Sequence, residues 1–583
     1  MKRPLIVLVY SLAIFPALAQ ISAPAADGDY VLINGKILTV DAHDTVAQAI
    51  AITGGKIAAV GSNADVRKAA AKGAHVIDLH GRAVTPGLID AHCHFTEVDA
   101  LYSVDLSDGI NSIAEAMGKV KQRVATLKPG EWVRGGGWDE GKMQELRYIH
   151  AADIDQVAPD NPVWLTHTTG HYGVANSAAL KLAGITRDTK DPNAGTIDRD
   201  AAGNPTGVLK ESAMGLVTRR IPRYTHEQEL EGLLRIIRDF NREGMTAAKY
   251  PSISQNQWNL LNEALKLGKL DVRVMAIWMG GRSLESARQT RDRLLAMPHA
   301  PDNIGDGRLI SGGVKLYIDG SGGARTGWMY QDWNKDFKDI DKGNVGYPTT
   351  DPEVYRAQVK LLHEAGLHVS THAIGDRAID WVVDSYAAAL KEKPTRGLRH
   401  GIIHCNTPTD HAIDEMARMQ KEYDAGYPEP QAPFLWWIGD TYAGNLGPQR
   451  ALRLEPFATY VKKGVIWAGG SDYNVTPFAA RYGLWASVER KTMRGAYGSQ
   501  PFGTAESVDV HTALRSYTIW AAHQLFLDQK TGSLEKGKEA DLAIWDRNPY
   551  EIPADDLRNM KCDLTMLAGK VVYQADNSPV KVQ

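Results

Sequence analysis

Hydrophobic positions in the central part of the chain form two alternating kinds of segment. Short apolar runs such as GVKLYIDG, LHVSTHA, GIIHC and VIWAGGSD predict buried strands, whereas ELEGLLRIIRDFNREG and DPEVYRAQVKLLHEAG carry apolar residues at helical spacing. Strands and helices that alternate over residues 86–529 are typical of a parallel α/β architecture. This span of about 440 residues is ample for a barrel with insertions, which commonly needs about 250.

The two ends of the chain have a different pattern. From Tyr30 the sequence reads YVLINGKILTV, AIAITGGKIAAVG and HVIDLHGRAVTPG, which are β-rich runs separated by glycine-containing turn signals. TGSLEKGKEADLAIWD and LTMLAGKVVYQ near the other end share this pattern. We therefore predict that residues 20–85 and 530–583 pair into one small, discontinuous β-domain.

The N-terminus has the order of a secretory signal. Lys2 and Arg3 precede an apolar stretch from Leu5 to Phe15, and small residues lead to Ala19. We expect residues 1–19 to be a signal peptide that is removed on export. The apolar stretch is too short for a comfortable membrane span, and no later segment approaches the roughly 20 apolar residues that spanning requires. The mature protein is therefore expected to be free of the membrane, and either periplasmic or secreted.

Composition narrows the class of partner. The chain is 43% hydrophobic and 23% charged, and its 66 basic and 69 acidic residues nearly cancel. Without a lysine or arginine cluster, nucleic acid is not expected as a partner. The three cysteines, Cys93, Cys405 and Cys562, are odd in number and widely spaced, so no disulfide framework is implied. The sequence leaves a homo-oligomer open.

Two histidines close together in the sequence are candidate metal ligands. His92 and His94 stand two apart in LIDAHCHF. Because side chains alternate along a strand, both imidazoles point to one side while Cys93 points to the other. This spacing predicts a chelating pair for a metal ion, although two histidines this close also occur by chance.

Four further residues stand near the C-terminal ends of predicted strands, where barrel enzymes gather their catalytic residues. They are Lys315 in GVKLYIDG, His372 in LHVSTHA, His404 in GIIHC and Asp472 in VIWAGGSD. A lysine buried there is costly as a cation, so desolvation lowers its pKa. Neutral Lys315 can react with carbon dioxide to give a carbamate that bridges two cations; the alternative is a structural lysine paired with Asp319.

The predicted ligands divide between two divalent metals, with the carboxylated lysine shared: His92, His94 and Asp472 on one, His372 and His404 on the other. Imidazole and carboxylate ligands suit zinc, and manganese, nickel and iron also accept them.

Several motifs in order resemble a known family. The DAHCH string after TPGLI, VKLYIDGSGGART, THAIGD, GSDYN and GSLEKGKEADLAIWD resemble the amidohydrolase superfamily, and more closely amidohydrolase family 3, the branch that includes N-substituted formamide deformylase. The resemblance extends over nearly the whole mature chain. It implies a metal-bearing (β/α)8 barrel of the TIM type and a β-sandwich built from both termini. It also maps ligand roles onto His92, His94, Lys315, His372, His404 and Asp472, and a substrate-contact role onto His171.

The chain departs from the family pattern at three places. Ile403 precedes His404 where the family often has an acidic residue, and Thr169 stands where it often has Asp. The segment EYDAGYPEPQAPFLWW, where a seventh strand is expected, is long and rich in proline. These departures bear on the substrate more than on the metal.

The predicted function is hydrolysis of an amide-type C–N bond, including N-substituted amides, in a small molecule. Asp472 is expected to take a proton from the attacking water and His171 to polarise the carbonyl, with Trp138 and Arg325 as candidate substrate contacts. Two alternatives stay open. One is a mononuclear, deaminase-like hydrolase of the same superfamily, and the other is an exported regulatory or binding protein without turnover.

Overall fold

The computed structural model describes residues 28–94, 97–107, 109–336, 339–498 and 502–582. The predicted signal segment 1–19 lies outside these residues. No helix among the described residues is long and apolar enough to cross a bilayer.

A curled sheet of seven parallel strands forms the centre of the molecule. Its strands are Leu88–Asp90, Met245–Ile253, Arg273–Met279, Leu309–Tyr317, Val369–Ala373, Gly401–His404 and Tyr427–Glu429. All six neighbouring pairs run parallel. Continuous apolar runs such as VKLY form these strands because both faces of a parallel sheet are buried. The predicted α/β class is confirmed.

The segment predicted as the eighth strand is irregular. Residues 465–472 have no strand assignment, yet the N–H groups of Ala468 and Gly470 donate to the carbonyls of Pro428 and Pro430 at 3.1 Å. On the other side, the N–H of Ala91 donates to the carbonyl of Gly469 at 3.0 Å. This segment therefore contacts both edges of the curled sheet, next to its first and its seventh strand.

Amphipathic helices cover the sheet. In His226–Arg242, Thr225 caps the N-terminus, and Ile236, Ile237 and Phe240 lie on one buried face. The helices of this part are His226–Arg242, Gln255–Lys266, Leu284–Leu295, Pro352–Glu364, Asp376–Glu392, Asp410–Tyr423, Pro433–Trp437, Gly439–Leu446, Phe457–Lys463, Ala480–Glu489, Val510–Ser516 and Ile519–Gln524. Short 3-10 turns lie at Arg450–Arg453 and Thr504–Glu506, and a small hairpin pairs Asn334–Lys335 with Asp339–Ile340.

A second sheet is inserted between the first and second strands of the curled sheet. Its six strands are Val104–Asp105, Val133–Trp138, Val163–His167, Tyr172–Ala175, Gly195–Arg199 and Pro205–Glu211. Its helices are Glu97–Tyr102, Ile113–Val124, Ala151–Asp155, Ser177–Ala183 and Gly215–Thr218, with 3-10 turns at Glu140–Lys142 and Ser212–Met214. The alternation in the sequence does not reveal this insertion, which brings His171 to the site described below.

Strands from both ends of the chain share one sheet. Leu542–Trp545 pairs antiparallel with Ala83–Pro86. This six-stranded sheet consists of Lys36–Leu38, Val46–Ala47, Ala83–Pro86, Leu542–Trp545, Cys562–Leu567 and Lys570–Gln574. A four-stranded sheet consists of Tyr30–Ile33, Ala49–Thr53, Lys56–Gly61 and His75–Asp78, with the helix Asn63–Ala69 and, near the C-terminus, the 3-10 turn Ala554–Asn559. Ile52 of one sheet and Leu542 of the other belong to one hydrophobic cluster.

A buried ion pair joins the terminal sheet region to the curled sheet. Arg273 at the start of a central strand donates from Nε and Nη2 to the carboxylate of Asp541 at 2.6 and 3.0 Å. Both side chains are almost fully buried.

We expect Arg273→Met to lower the free energy of unfolding by about 3–5 kcal/mol, because it leaves the buried carboxylate of Asp541 without its cation. Urea unfolding measures this loss of stability. The double variant Arg273→Met, Asp541→Asn should recover part of the lost free energy, because no charge is left buried without a partner. Unchanged stability in Arg273→Met would contradict the stabilising role of this ion pair.

Candidate metal centre

The carboxylate of Asp472 lies between the two histidines of the HxH motif. Its Oδ1 is 3.2 Å from His92 Nε2 and 3.3 Å from His94 Nε2. One ligand atom from each residue lies within 4.8 Å of the others, which suits a single cation. Burial by itself raises the pKa of Asp472, but His92 and His94 outweigh it and hold that pKa well below its usual range. Asp472 is therefore a carboxylate at neutral pH.

Asp90 holds the two halves of this group together. Its Oδ1 accepts from the backbone N–H groups of His92 and Ser471, each at 3.0 Å, and its Oδ2 accepts from Ser471 Oγ at 2.5 Å. The glycine before Ser471 is required by the close approach, since a Cβ at Gly470 would lie 2.9 Å from the backbone nitrogen of His92. The DAHCH and GGSD motifs are thus two sides of one contact.

His372 and His404 complete a row of imidazoles. Ring centroids are 5.3 Å apart for His94 and His92, 5.3 Å for His92 and His404, and 4.5 Å for His404 and His372. His404 and Asp472 have φ angles of 70° and 55°. Such left-handed backbone is uncommon for residues other than glycine, and strain of this kind concentrates at functional sites.

Hydrogen bonds fix which nitrogen each of these two histidines presents. His372 Nε2 donates to the carbonyl of Gly320 at 2.8 Å, and His404 Nδ1 donates to Gln431 Oε1 at 2.7 Å. Burial lowers the pKa of His404 to about 3 and that of His372 well below its usual value, so both rings are neutral. His372 Nδ1 and His404 Nε2 therefore keep lone pairs for a metal, as ligand histidines require.

Lys315 is buried on the strand next to His372. It lies in Leu309–Tyr317, beside Val369–Ala373 in the sheet. Its positive charge contributes to the lowered pKa values of three nearby histidines, His92, His372 and His404. Burial lowers the pKa of Lys315 to about 7, despite the opposing attraction of Asp472. A substantial fraction of this amine is therefore neutral near pH 7, as reaction with carbon dioxide requires.

Asp319 does not serve as a simple partner of Lys315. Its carboxylate accepts from the backbone N–H groups of Trp328, Ile374 and Gly375 at 2.9 to 3.1 Å. Burial raises the pKa of Asp319 to about 7. Its Oδ1 is 3.7 Å from His372 Nε2, so Asp319 supports the turn that follows the strand of His372.

His171 of the inserted sheet reaches the row of histidines. Its ring centroid is 5.1 Å from that of His372, and its Nδ1 lies 3.0 and 3.1 Å from the two carboxylate oxygens of Glu211. Burial lowers the pKa of His171, but Glu211 outweighs burial and leaves that pKa above its usual value.

The structure thus brings together every residue to which a ligand or substrate-contact role was mapped from the family motifs.

The two candidate substrate contacts, Trp138 and Arg325, have structural partners. The Trp138 indole is fully buried, donates to the carbonyl of Leu165 at 3.0 Å and packs edge-on against His167. Arg325 donates from Nε to Asp341 Oδ2 at 2.8 Å. Both therefore hold loops and strands in place around the site.

A second group of potential ligands is occupied by its own hydrogen bonds. Asp139, Glu140 and His167 also converge within 4.8 Å. His167 Nε2 lies 2.7 Å from the Tyr172 hydroxyl and 3.2 Å from Glu140 Oε2, and Asp139 Oδ1 accepts from Thr441 Oγ1 at 2.6 Å. We interpret this group as a polar network that fastens the inserted sheet to the helix Gly439–Leu446.

Two cavities meet at the turn after Asp472. One of about 470 Å³ is lined by residues of the inserted sheet, and one of about 500 Å³ is lined by aromatic side chains that include Trp436, Trp437 and Phe478. Both are bordered by Tyr473 and Asn474. Both cavities therefore reach the two residues that directly follow Asp472 in the chain.

Sequence reasoning does not predict the supporting roles of five residues. Glu211, Asp319, Gln431 and the pair of Asp90 with Ser471 act through contacts between distant parts of the chain. Gln431 lies in EYDAGYPEPQAPFLWW, whose unusual length and proline content are a visible signal, and the strand there is short, Tyr427–Glu429. Glu211 lies in GNPTGVLKESA, which the family resemblance also covers.

The curled parallel sheet and the histidine and carboxylate ligands at its end define a metal-dependent hydrolase. A model of the amidohydrolase family, Amidohydro_3, matches residues 75–573. The chain belongs to the amidohydrolase family, whose membership implies a divalent metal.

Three known proteins illustrate the similarity. N-substituted formamide deformylase of Arthrobacter pascens is 29% identical over 573 residues, which are 94% of this chain and 99% of that protein. The exoenzymes regulatory protein AepA of Pectobacterium carotovorum subsp. carotovorum is 28% identical over 397 residues, 66% of this chain and 82% of that protein. The crystal structure of an uncharacterized metal-dependent hydrolase from Pyrococcus horikoshii OT3 is similar in fold, with a TM-score of 0.68 at 24% identity over 90% of this chain and 99% of that one.

The bond between His404 and Gln431 generates a prediction about metal affinity. Gln431→Leu removes the acceptor that orients the His404 ring, so we expect divalent metal to bind about 10–100-fold more weakly. Competition with a chromophoric chelator measures the affinity. Gln420→Leu is the matched control, because Gln420 bonds to the carbonyls of Gly426 and Ile466 instead of a ligand histidine. Equal affinities in the two variants would contradict the supporting role of Gln431.

Proposed function

We propose that the protein is an exported amidohydrolase that cleaves an amide-type C–N bond in a small molecule. The observation that carries this proposal is the convergence of Asp472, His92 and His94 beside His372, His404 and buried Lys315. The family membership and the likeness to a deformylase of N-substituted formamides support the reaction class.

The donor set fits two zinc ions bridged by a carboxylated Lys315. His92, His94 and Asp472 would hold one ion, and His372 and His404 the other. Imidazole and carboxylate are zinc ligands, and the neutral amine of Lys315 can form an N–C bond to carbon dioxide and release a proton, which gives an anionic bridge. The hydrogen bonds that leave one lone pair on His372 and His404 support the second position.

In the proposed reaction, Asp472 transfers the protons and His171 contacts the substrate. A bound divalent metal supplies a lowered water pKa and polarisation of a carbonyl oxygen. Asp472, ionised and buried, accepts the proton of the attacking water at its carboxylate and then donates it to the departing nitrogen. His171, whose ring lies next to that of His372, contacts the carbonyl oxygen of the amide and polarises it.

The cavities favour a compact substrate with an apolar group on nitrogen. The aromatic cavity beside Tyr473 and Asn474 is large enough for such a substituent. Two tryptophans and a phenylalanine in its wall would bury an aromatic or branched alkyl group. The near balance of charge agrees with a small-molecule partner instead of nucleic acid or a membrane surface, and the chain is compatible with a homo-oligomer.

We also propose that the chain forms a complete barrel and a terminal β-sandwich, and that the protein is exported. Backbone bonds of residues 465–472 to both edges of the curled sheet support an eight-stranded barrel within residues 86–529. The cluster shared by Ile52 and Leu542 supports a β-sandwich of residues 20–85 and 530–583. The order of charged, apolar and small residues in segment 1–19 supports export to the periplasm or the medium.

A regulatory protein without turnover is the second candidate, because one relative is named as a regulator of exoenzymes. The retained set of potential ligands favours the enzyme.

Asp472→Asn tests the proposed reaction. The amide side chain cannot accept the water proton, so we expect kcat on N-substituted amides to fall by about 100-fold or more. Metal content, measured by elemental analysis, should fall far less than activity, since the histidines remain. Asp139→Asn is a control of the same residue type and burial, and its metal content should equal that of the wild type. Full activity in Asp472→Asn would refute the mechanism.

A further inference from the structure

We propose that Glu211 is a positioning residue for the reaction, which acts by holding His171 in the orientation that contacts the substrate. This inference rests on the proposed function and adds to it a residue from the inserted sheet. The supporting observations are the contacts between the Glu211 carboxylate, the His171 imidazole and the loop after the Lys315 strand.

Both carboxylate oxygens of Glu211 lie within hydrogen-bond distance of one nitrogen of His171. Oε1 and Oε2 lie 3.0 and 3.1 Å from Nδ1, and the Glu211 side chain is 4% exposed. Since a carboxylate only accepts, Nδ1 must carry the proton in this pair. Among the described residues, the ring's hydrogen bonds are made by Nδ1 alone, so Nε2 is the nitrogen left for a ligand.

Backbone pairing also ties the two residues together. The N–H of Glu211 donates to the carbonyl of His171 at 2.8 Å, directly beyond the antiparallel pair of Tyr172 with Lys210. Glu211 has φ 51° and ψ −126°, a conformation that non-glycine residues rarely adopt. Surrounding contacts must therefore stabilise this backbone, which directs the side chain toward His171.

The loop after the Lys315 strand supplies those contacts. Thr326 Oγ1 donates to Glu211 Oε1 at 2.7 Å and accepts from the N–H of Ser321 at 2.9 Å. A Cβ at Gly320 would lie 2.5 Å from Glu211 Oε1 and 2.1 Å from Thr326 Oγ1, so only glycine permits this packing.

The same loop orients a predicted metal ligand. The carbonyl of Gly320 accepts from His372 Nε2 at 2.8 Å, and the rings of His372 and His171 are 5.1 Å apart. One loop therefore fixes both the ligand histidine and the carboxylate that holds the substrate-contacting histidine. Removal of the Glu211 carboxylate should release His171 without disturbing His372, whose hydrogen bond is to the backbone.

A double-mutant cycle separates action through His171 from a general structural role. The four proteins are the wild type, His171→Ala, Glu211→Ala and the double variant, assayed as purified metal-loaded proteins on an N-substituted amide. We expect Glu211→Ala to lower kcat by about 10–100-fold when His171 is present, the range typical of residues that orient a functional side chain. In the His171→Ala background the same change should cost less than about threefold.

Two further variants sharpen the test. Glu211→Gln keeps an oxygen that can accept from Nδ1 and should restore part of kcat, whereas Thr326→Val should produce a smaller loss than Glu211→Ala. Asp198→Asn is the matched control: Asp198 also pairs with a cationic group of the inserted sheet, Lys210, at 3.2 Å, and its variant should keep wild-type kcat and KM. Metal content should be equal in all variants, because none of these residues is a ligand.

A crystal structure of Glu211→Ala gives a readout that needs no activity. We expect the His171 ring to leave its position beside His372 while the other histidines keep theirs; an unmoved ring overturns the inference. Equal losses from Glu211→Ala with and without His171 also overturn it. A wild type that carries metal and cleaves no amide would instead count against the proposed function, and the ring position would still decide the role of Glu211.

Discussion

The hydrogen bonds of Asp90 to His92 and Ser471 are the constraint on which the site depends. Asp90 and Ser471 are 381 residues apart in sequence. Asp90 lies in the first strand of the curled sheet, and Ser471 lies in the irregular segment 465–472 that contacts both edges of that sheet. The HxH pair belongs to one of these segments and Asp472 to the other. This contact brings the two histidines and the carboxylate close enough to share a single cation.

The rest of the site follows from the direction of the strands. Parallel strands place all their carboxyl ends at one edge, so Lys315, His372 and His404 reach the same point as the HxH pair. Burial there is costly for unsatisfied polar groups. Each of the two candidate ligands on the later strands, His372 and His404, has a hydrogen-bond acceptor: the carbonyl of Gly320 or the side-chain amide of Gln431. These acceptors set the orientation of the rings before any ligand binds.

Local sequence predicts the candidate ligands and does not predict the residues that support them. The spacing of His92 and His94 and the place of His372, His404 and Asp472 at the ends of apolar runs depend on strand periodicity, which is a local property. The partnership of Glu211 with His171 depends on register between antiparallel strands of an insertion, and periodicity does not reveal register. The irregular segment 465–472 reflects its paired glycines, which permit close approach to His92.

Metal content per chain, measured by elemental analysis of the purified wild type and of Lys315→Ala, tests the central claim most directly. The account predicts two divalent metal ions per chain in the wild type and a sharp loss in the variant, because the bridging carbamate is gone. A single ion that is indifferent to Lys315 would contradict the bridged pair. A wild type that binds no metal after reconstitution would contradict the metal centre itself.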